Sequence, residues 1–99
     1  MKIQVTEEDI KKGEPGSCEF CAISQALRKK FNALEVYTEY DHEYERVRLY
    51  VDGQDYQVSD YDEDDVNNFI EAFDIYDPDP EIENALAPPR PLSFTIYEV

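Results

Sequence analysis

The run "RVRLYVDGQDYQV" limits the fold more than any other stretch of this chain. Residues 46–51 alternate polar and apolar, as a half-buried strand does. Asp52-Gly53 follows, a pair that tolerates the positive φ a tight hairpin turn needs. Residues 55–58, "DYQV", are the expected returning strand, and the polar Gln54 and Asp55 leave room for a loop longer than two residues. "LEVYTEY" (34–40) alternates in the same way, and "DHEYE" between it and residue 46 reads as a turn. "IQV" (3–5) and "LSFTIYEV" (92–99) add short strands at the two ends.

Helical patterns lie between these strands. Thr6 precedes Glu7, Glu8 and Asp9, so Thr6 can cap a short helix with Asp9 at the third helical position. Lys11 and Lys12 suit its carboxyl end, and Gly13 is expected to stop it in a left-handed conformation. "EPGS" (14–17) is a turn, and Ser17 is the expected cap of a second helix over 18–31. Phe20, Ile23, Leu27 and Phe31 follow helical spacing and should face the core. Val66, Phe69, Ile70 and Phe73 lie at i, i+3, i+4 and i+7, the buried stripe of a third helix. "DPDP" and "APPRP" break the chain into extended loops, with a helical turn expected over 81–86. Residues 1–99 thus read as a single α+β domain. Its core is a small antiparallel sheet of three to five strands with two main helices packed on one face. Thirteen aromatic residues and three glycines (five Phe, eight Tyr) suit an ordered fold rather than a disordered acidic chain.

Charge dominates the remaining information. The net charge is −15, and it is unevenly placed. Residues 49–89 contain thirteen acids and no Lys or Arg, so those carboxylates have no cation nearby in sequence. A small domain needs only about 2–8 net charges for solubility. Such a field repels nucleic acid and acidic membranes and attracts basic surfaces. No apolar run approaches the length of a membrane span, and the first residues have no apolar core of a signal peptide. A cytoplasmic protein is therefore expected.

"SDYDEDDVNNFIEAFD" (59–74) concentrates the acids. Asp60 or Asp62 can cap the third helix, and acids in its first turn gain from the helix dipole, about 0.3–1 kcal/mol each at an exposed site. That accounts for two or three acids, not for the five between Asp60 and Asp65, nor for Asp74, Asp77, Asp79, Glu81 and Glu83 after them. Asp60, Asp62, Asp64, Val66, Asn68 and Glu71 fit the ligand spacing of a calcium loop. Its sixth position requires Gly, however, and here holds Asp65, while the helical stripe keeps the ligands from converging. Cys18 and Cys21 form a C-x-x-C pair. With His42 as the only further soft ligand, a zinc site would need two chains. A redox pair at a helix start is opposed by Glu14 and Glu19. The remaining reading of the cysteines is as small apolar packing residues. No nucleophile motif, phosphate loop or dinucleotide fingerprint appears, so no catalytic residues, enzyme activity or cofactor are expected. Tyr37, Tyr50, Tyr56 and Tyr97 fall on strands and read as structural. Tyr40, Tyr44, Tyr61 and Tyr76 stand among acids near turns, where tyrosine suits a protein interface.

The segment "VTEEDIKKGEPGSCEFCAISQAL" (5–27) resembles the start of a family of short phage and prophage proteins. These run V-T-x-E-D-I, a Gly, then S-C-x-x-C-P-I-A-x-A-L, with Ala22 here in place of the Pro. "FIEAFD" (69–74) and "PLSFTI" (91–96) match the family's end. The resemblance implies a phage origin, and with it the cytoplasm of a host cell, and assigns no activity. "DGQDYQVSDYDEDDVNNFIEAF" (52–73) is similar, with one gap, to the strand, acidic turn and helix of an acidic anti-CRISPR inhibitor of Cas9. Together these readings give two expectations. The first is a phage-encoded acidic inhibitor that mimics nucleic acid and occupies a basic groove of a host nucleic-acid-binding protein. Its expected contacts are Asp60, Tyr61, Asp62, Glu63, Asp64, Asp65, Tyr76, Asp77, Asp79, Glu81 and Glu83, with no direct binding of nucleic acid or membrane, and a homodimer allowed. The second is a structural or regulatory phage protein joined through Cys18 and Cys21, by zinc or a disulfide between chains.

Overall fold

The computed structural model describes residues 1–41, 43, 46–75 and 89–99. Among them, five strands form one antiparallel sheet: β1 (Lys2–Val5), β2 (Val36–Asp41), β3 (Arg46–Val51), β4 (Gln54–Val58) and β5 (Leu92–Glu98), in the spatial order β1-β5-β4-β3-β2. Three helices join them: α1 (Glu7–Lys12), α2 (Ala22–Phe31) and α3 (Glu63–Ile75). The alternation seen in sequence sets the two faces of the sheet. Ile3, Val5, Val36, Val47, Leu49, Val51, Tyr56, Val58, Phe94 and Ile96 point inward. α2 adds Ala22, Ile23, Ala26 and Leu27 to this core, and α3 adds Val66, Phe69 and Phe73. The opposite face of the sheet carries Tyr37 and Tyr97, 38% and 41% exposed. Of the five strand tyrosines, only Tyr56 is a core residue, seated 5.2 Å from the Phe31 ring; Tyr40, expected near a turn, lies on β2 and packs half-buried against the core.

Several local expectations hold at the level of single bonds. Thr6 and Asp9 form a complete capping box for α1. Asp52 and Gly53 have φ of 47° and 86°, and Val51 pairs with Gln54 directly across them. The loop therefore has only those two residues, and β4 begins at Gln54 rather than 55. Asp52 can occupy that conformation because its carboxylate also accepts the N–H groups of Leu34 and Glu35 at 3.1 and 2.9 Å.

Other expectations are corrected. α2 starts at Ala22 rather than residue 18, because Cys21 rather than Ser17 occupies its cap position: the Cys21 sulfur accepts the Ser24 N–H at 3.5 Å. Ser17 instead closes the preceding turn, accepting from the Phe20 N–H at 3.1 Å. Phe20, expected in the core, is exposed, with the Arg28 guanidinium 4.8 Å above its ring. Gly13 follows α1 with φ −70°, so it is no left-handed stop. It is required by crowding, since a Cβ there would lie 2.6 Å from the Ala22 nitrogen and 2.9 Å from the Asp9 carbonyl. The turn over 42–45 and the helical turn over 81–86 fall wholly or mostly outside the described residues.

Candidate partner-binding surface

The acidic run sits where β4 turns into α3. Ser59 donates its N–H to the Thr95 carbonyl at 2.9 Å, which keeps the chain on β5 for one residue past β4. The Asp62 N–H donates to the Ser59 carbonyl at 2.9 Å, closing the turn, and the Val66 N–H bonds the Asp62 carbonyl at 2.9 Å as α3 begins. Asp62 thus precedes the helix as expected, but its carboxylate does a different job. One oxygen accepts both the Thr95 N–H at 2.9 Å and the Ser59 hydroxyl at 2.8 Å. The Thr95 N–H and then the Ser59 O–H hold this carboxyl below its ordinary pKa, with a smaller contribution from Lys2. Asp62 therefore clamps the start of α3 to β5.

The neighbouring acids divide by what they touch. Glu63 is mostly covered and faces Arg46, whose Nε lies 3.9 Å away. Asp60, Asp64 and Asp65 are exposed, and no hydrogen bond or ion pair joins their side chains to a described residue. Tyr61 stands among them, 97% exposed. Along α3, Val66, Phe69 and Phe73 bury one stripe, so the opposite stripe faces solvent: Asp64, Asn68, Glu71. Asp64 and Glu71 are seven residues apart, about 10 Å along the helix axis. Glu71, absent from the expected contacts, lies opposite the centre of the buried stripe, a position its spacing from Val66, Phe69 and Phe73 dictates. Asp74, also exposed, is taken up by the Gly16 N–H at 3.1 Å. Asp60, Tyr61, Asp64, Asp65 and Glu71 thus share a helix and the turn anchored before it. Tyr76, Asp77, Asp79, Glu81 and Glu83 lie outside the described residues.

The cysteines are unlike one another. Cys21 is buried and caps α2, whereas Cys18 is exposed, and both are free thiols. The Cys18 carbonyl binds the edge of β2, accepting the Thr38 N–H at 2.9 Å and the Ser24 hydroxyl at 2.7 Å. Its thiol pKa is raised, chiefly by partial desolvation, then by Cys21 and by the charges of Glu39, Asp74 and Glu19. A reactive thiol needs the opposite environment. Both cysteines line a crevice of about 110 Å³ with Tyr40, Phe69, Phe73 and Asp74. Among the described residues, no three His, Cys, Asp or Glu side chains converge on a point that could hold a metal ion. The calcium-loop spacing is spread along α3 and the turn before it, as its helical stripe requires.

No family model, curated protein or solved structure matches this chain. Among the described residues, no helix is long and apolar enough to cross a membrane.

Proposed function

We propose that this protein is a non-enzymatic acidic inhibitor that occupies the basic groove of a nucleic-acid-binding host protein in place of nucleic acid. The observation behind this reading is the set Asp60, Asp64, Asp65 and Glu71: exposed, without cationic partners among the described residues, and mounted on α3 and the turn before it, where Asp62 clamps the helix start to the sheet. Fixed carboxylates can match the phosphate charges of a duplex, which come about every 1.7 Å of axis. A rigid mount limits the entropy lost on binding. Tyr61 supplies contact area within the charged patch, as aromatic anchors do at protein interfaces. Phage origin rests on the resemblance of residues 5–27, and the target class is a CRISPR effector, restriction enzyme, polymerase or repair enzyme.

The contacts of each acid decide which of them to vary. Asp62 is a poor choice for charge reversal, because its loss would free the Thr95 N–H and loosen α3. The informative variant is the triple Asp60→Asn, Asp64→Asn, Asp65→Asn. Wild-type protein immobilised in a host lysate should capture a nucleic-acid-binding protein that added duplex DNA releases, and the triple variant should lose about tenfold or more of that affinity while keeping its melting temperature within a few degrees. Capture that is indifferent to DNA and to the triple variant contradicts the proposal. The competing reading, association through the cysteines, offers only Cys18 to a second chain, since Cys21 is buried. It requires an oligomer that dissociates in Cys18→Ser.

A further inference from the structure

Among the described residues the sheet ends at β1, and the direction of its backbone groups follows from the register. The Met1 nitrogen donates to the Ile96 carbonyl at 3.0 Å, and the Ile96 N–H donates to the Met1 carbonyl at 2.8 Å. Met1 and Ile96 are thus a hydrogen-bonded pair. Such pairs alternate along an antiparallel ladder. The next bonded pairs are Ile3 with Phe94 and Val5 with Leu92, so the N–H and C=O groups of Lys2 and Gln4 point away from β5. On that side runs a groove of about 420 Å³ between the strand edge and α2, lined by Lys2, Gln4, Thr6, Ala26, Lys29 and Lys30. Lys29 is paired with the buried Asp9 at 2.9 Å. Lys2 and Lys30 are exposed and have no ion-pair partner among the described residues.

We infer that this edge takes up an extended acidic segment of another protein as a sixth strand. The added strand would bond the N–H and C=O groups of Lys2 and Gln4, its alternate side chains would enter the groove over Ala26, and its carboxylates would meet Lys2 and Lys30. Strand addition gives affinity through main-chain bonds and specificity through alternate side chains. Charge selects the occupant: a basic segment would meet three lysines. Lysine on an edge strand also discourages unwanted pairing, so a purely protective role is the alternative that the experiment must separate. The site lies on α2 and β1, apart from the α3 patch, and stands or falls independently of it.

The probe is a blocked peptide of four Glu-Val repeats, titrated into isotope-labelled protein and followed by amide NMR. Saturable shifts should centre on Lys2, Gln4, Ala26 and Lys30, with exchange of the Lys2 and Gln4 amides slowed. Gln4→Pro removes one outward N–H and leaves the Ile3 and Val5 bonds to β5, and Lys30→Glu reverses one groove charge; each should weaken binding by about tenfold. If Gln4→Pro fails to fold, the same peptide N-methylated at alternate residues replaces it, and should bind at least as poorly. A Lys-Val peptide that binds equally well, an eight-nucleotide oligothymidylate that saturates the same amides, or no shift with millimolar Glu-Val peptide would each overturn the inference, the last leaving the lysines as edge protection.

Discussion

Asp62 shows how much one carboxylate can decide. Its sequence context offers it as a helix cap or as one more partner-binding acid, and it turns out to join α3 to β5 through Thr95 and Ser59. Nothing in the sequence marks this, because Thr95 lies thirty-three residues away and its N–H is left over only by the way β4 and β5 pair. Replacing Asp62 with Ala should cost about 1–2 kcal/mol, as expected for losing charge-assisted bonds at a partly exposed site, read by urea denaturation. The pH dependence follows from the direction of its shift. The folded-state pKa is depressed, so its stabilisation is complete above the unfolded value, about 3.9, and is lost as pH falls through the lower folded value. Asp62→Asn should therefore flatten part of the acid limb of the stability curve below about pH 4, whereas a wild-type slope in that variant would assign the limb to other carboxylates.

Local patterns made most of the elements legible. The capping box of α1, the two-residue turn at Asp52-Gly53 and the stripe of α3 are all encoded within a few residues of where they act. α2 was less legible because its cap is a sulfur, outside the usual oxygen set, and because Phe20 continues the apolar spacing before the helix while stacking under Arg28. Gly13 illustrates the same limit. A glycine after a helix suggests left-handed backbone, yet its role is to let α1 end against the start of α2. Its φ is negative, so alanine meets no dihedral strain, only a steric clash with the Ala22 and Asp9 backbone atoms. Gly13→Ala should destabilise by about 1–3 kcal/mol through overpacking. A neutral or stabilising result in thermal unfolding would mean that α1 and α2 separate easily.

At the scale of the whole molecule, charge is only partly sorted by position. Eight of the nine bases lie on β1, α1, α2 and β3. Exposed acids without an ion-pair partner among the described residues include Asp60, Asp64, Asp65 and Glu71 on α3 and the turn before it, and also Glu7, Glu14, Glu19, Glu35, Glu39, Glu43, Asp55 and Glu98 elsewhere. The acidic segment was visible in composition, and its division into structural and exposed acids was not, since that depends on which side chains the fold turns inward. The outer stripe of α3 is acidic, and the β1 edge is lined by Lys2, Lys29 and Lys30. Recognition through the acidic surface is read out by the affinity for the captured host protein measured across added salt. Affinity should fall by about tenfold or more between roughly 50 and 200 mM salt, with a shallower slope for the Asp60, Asp64, Asp65 triple variant. An affinity that stays constant over that range would contradict recognition by fixed carboxylates.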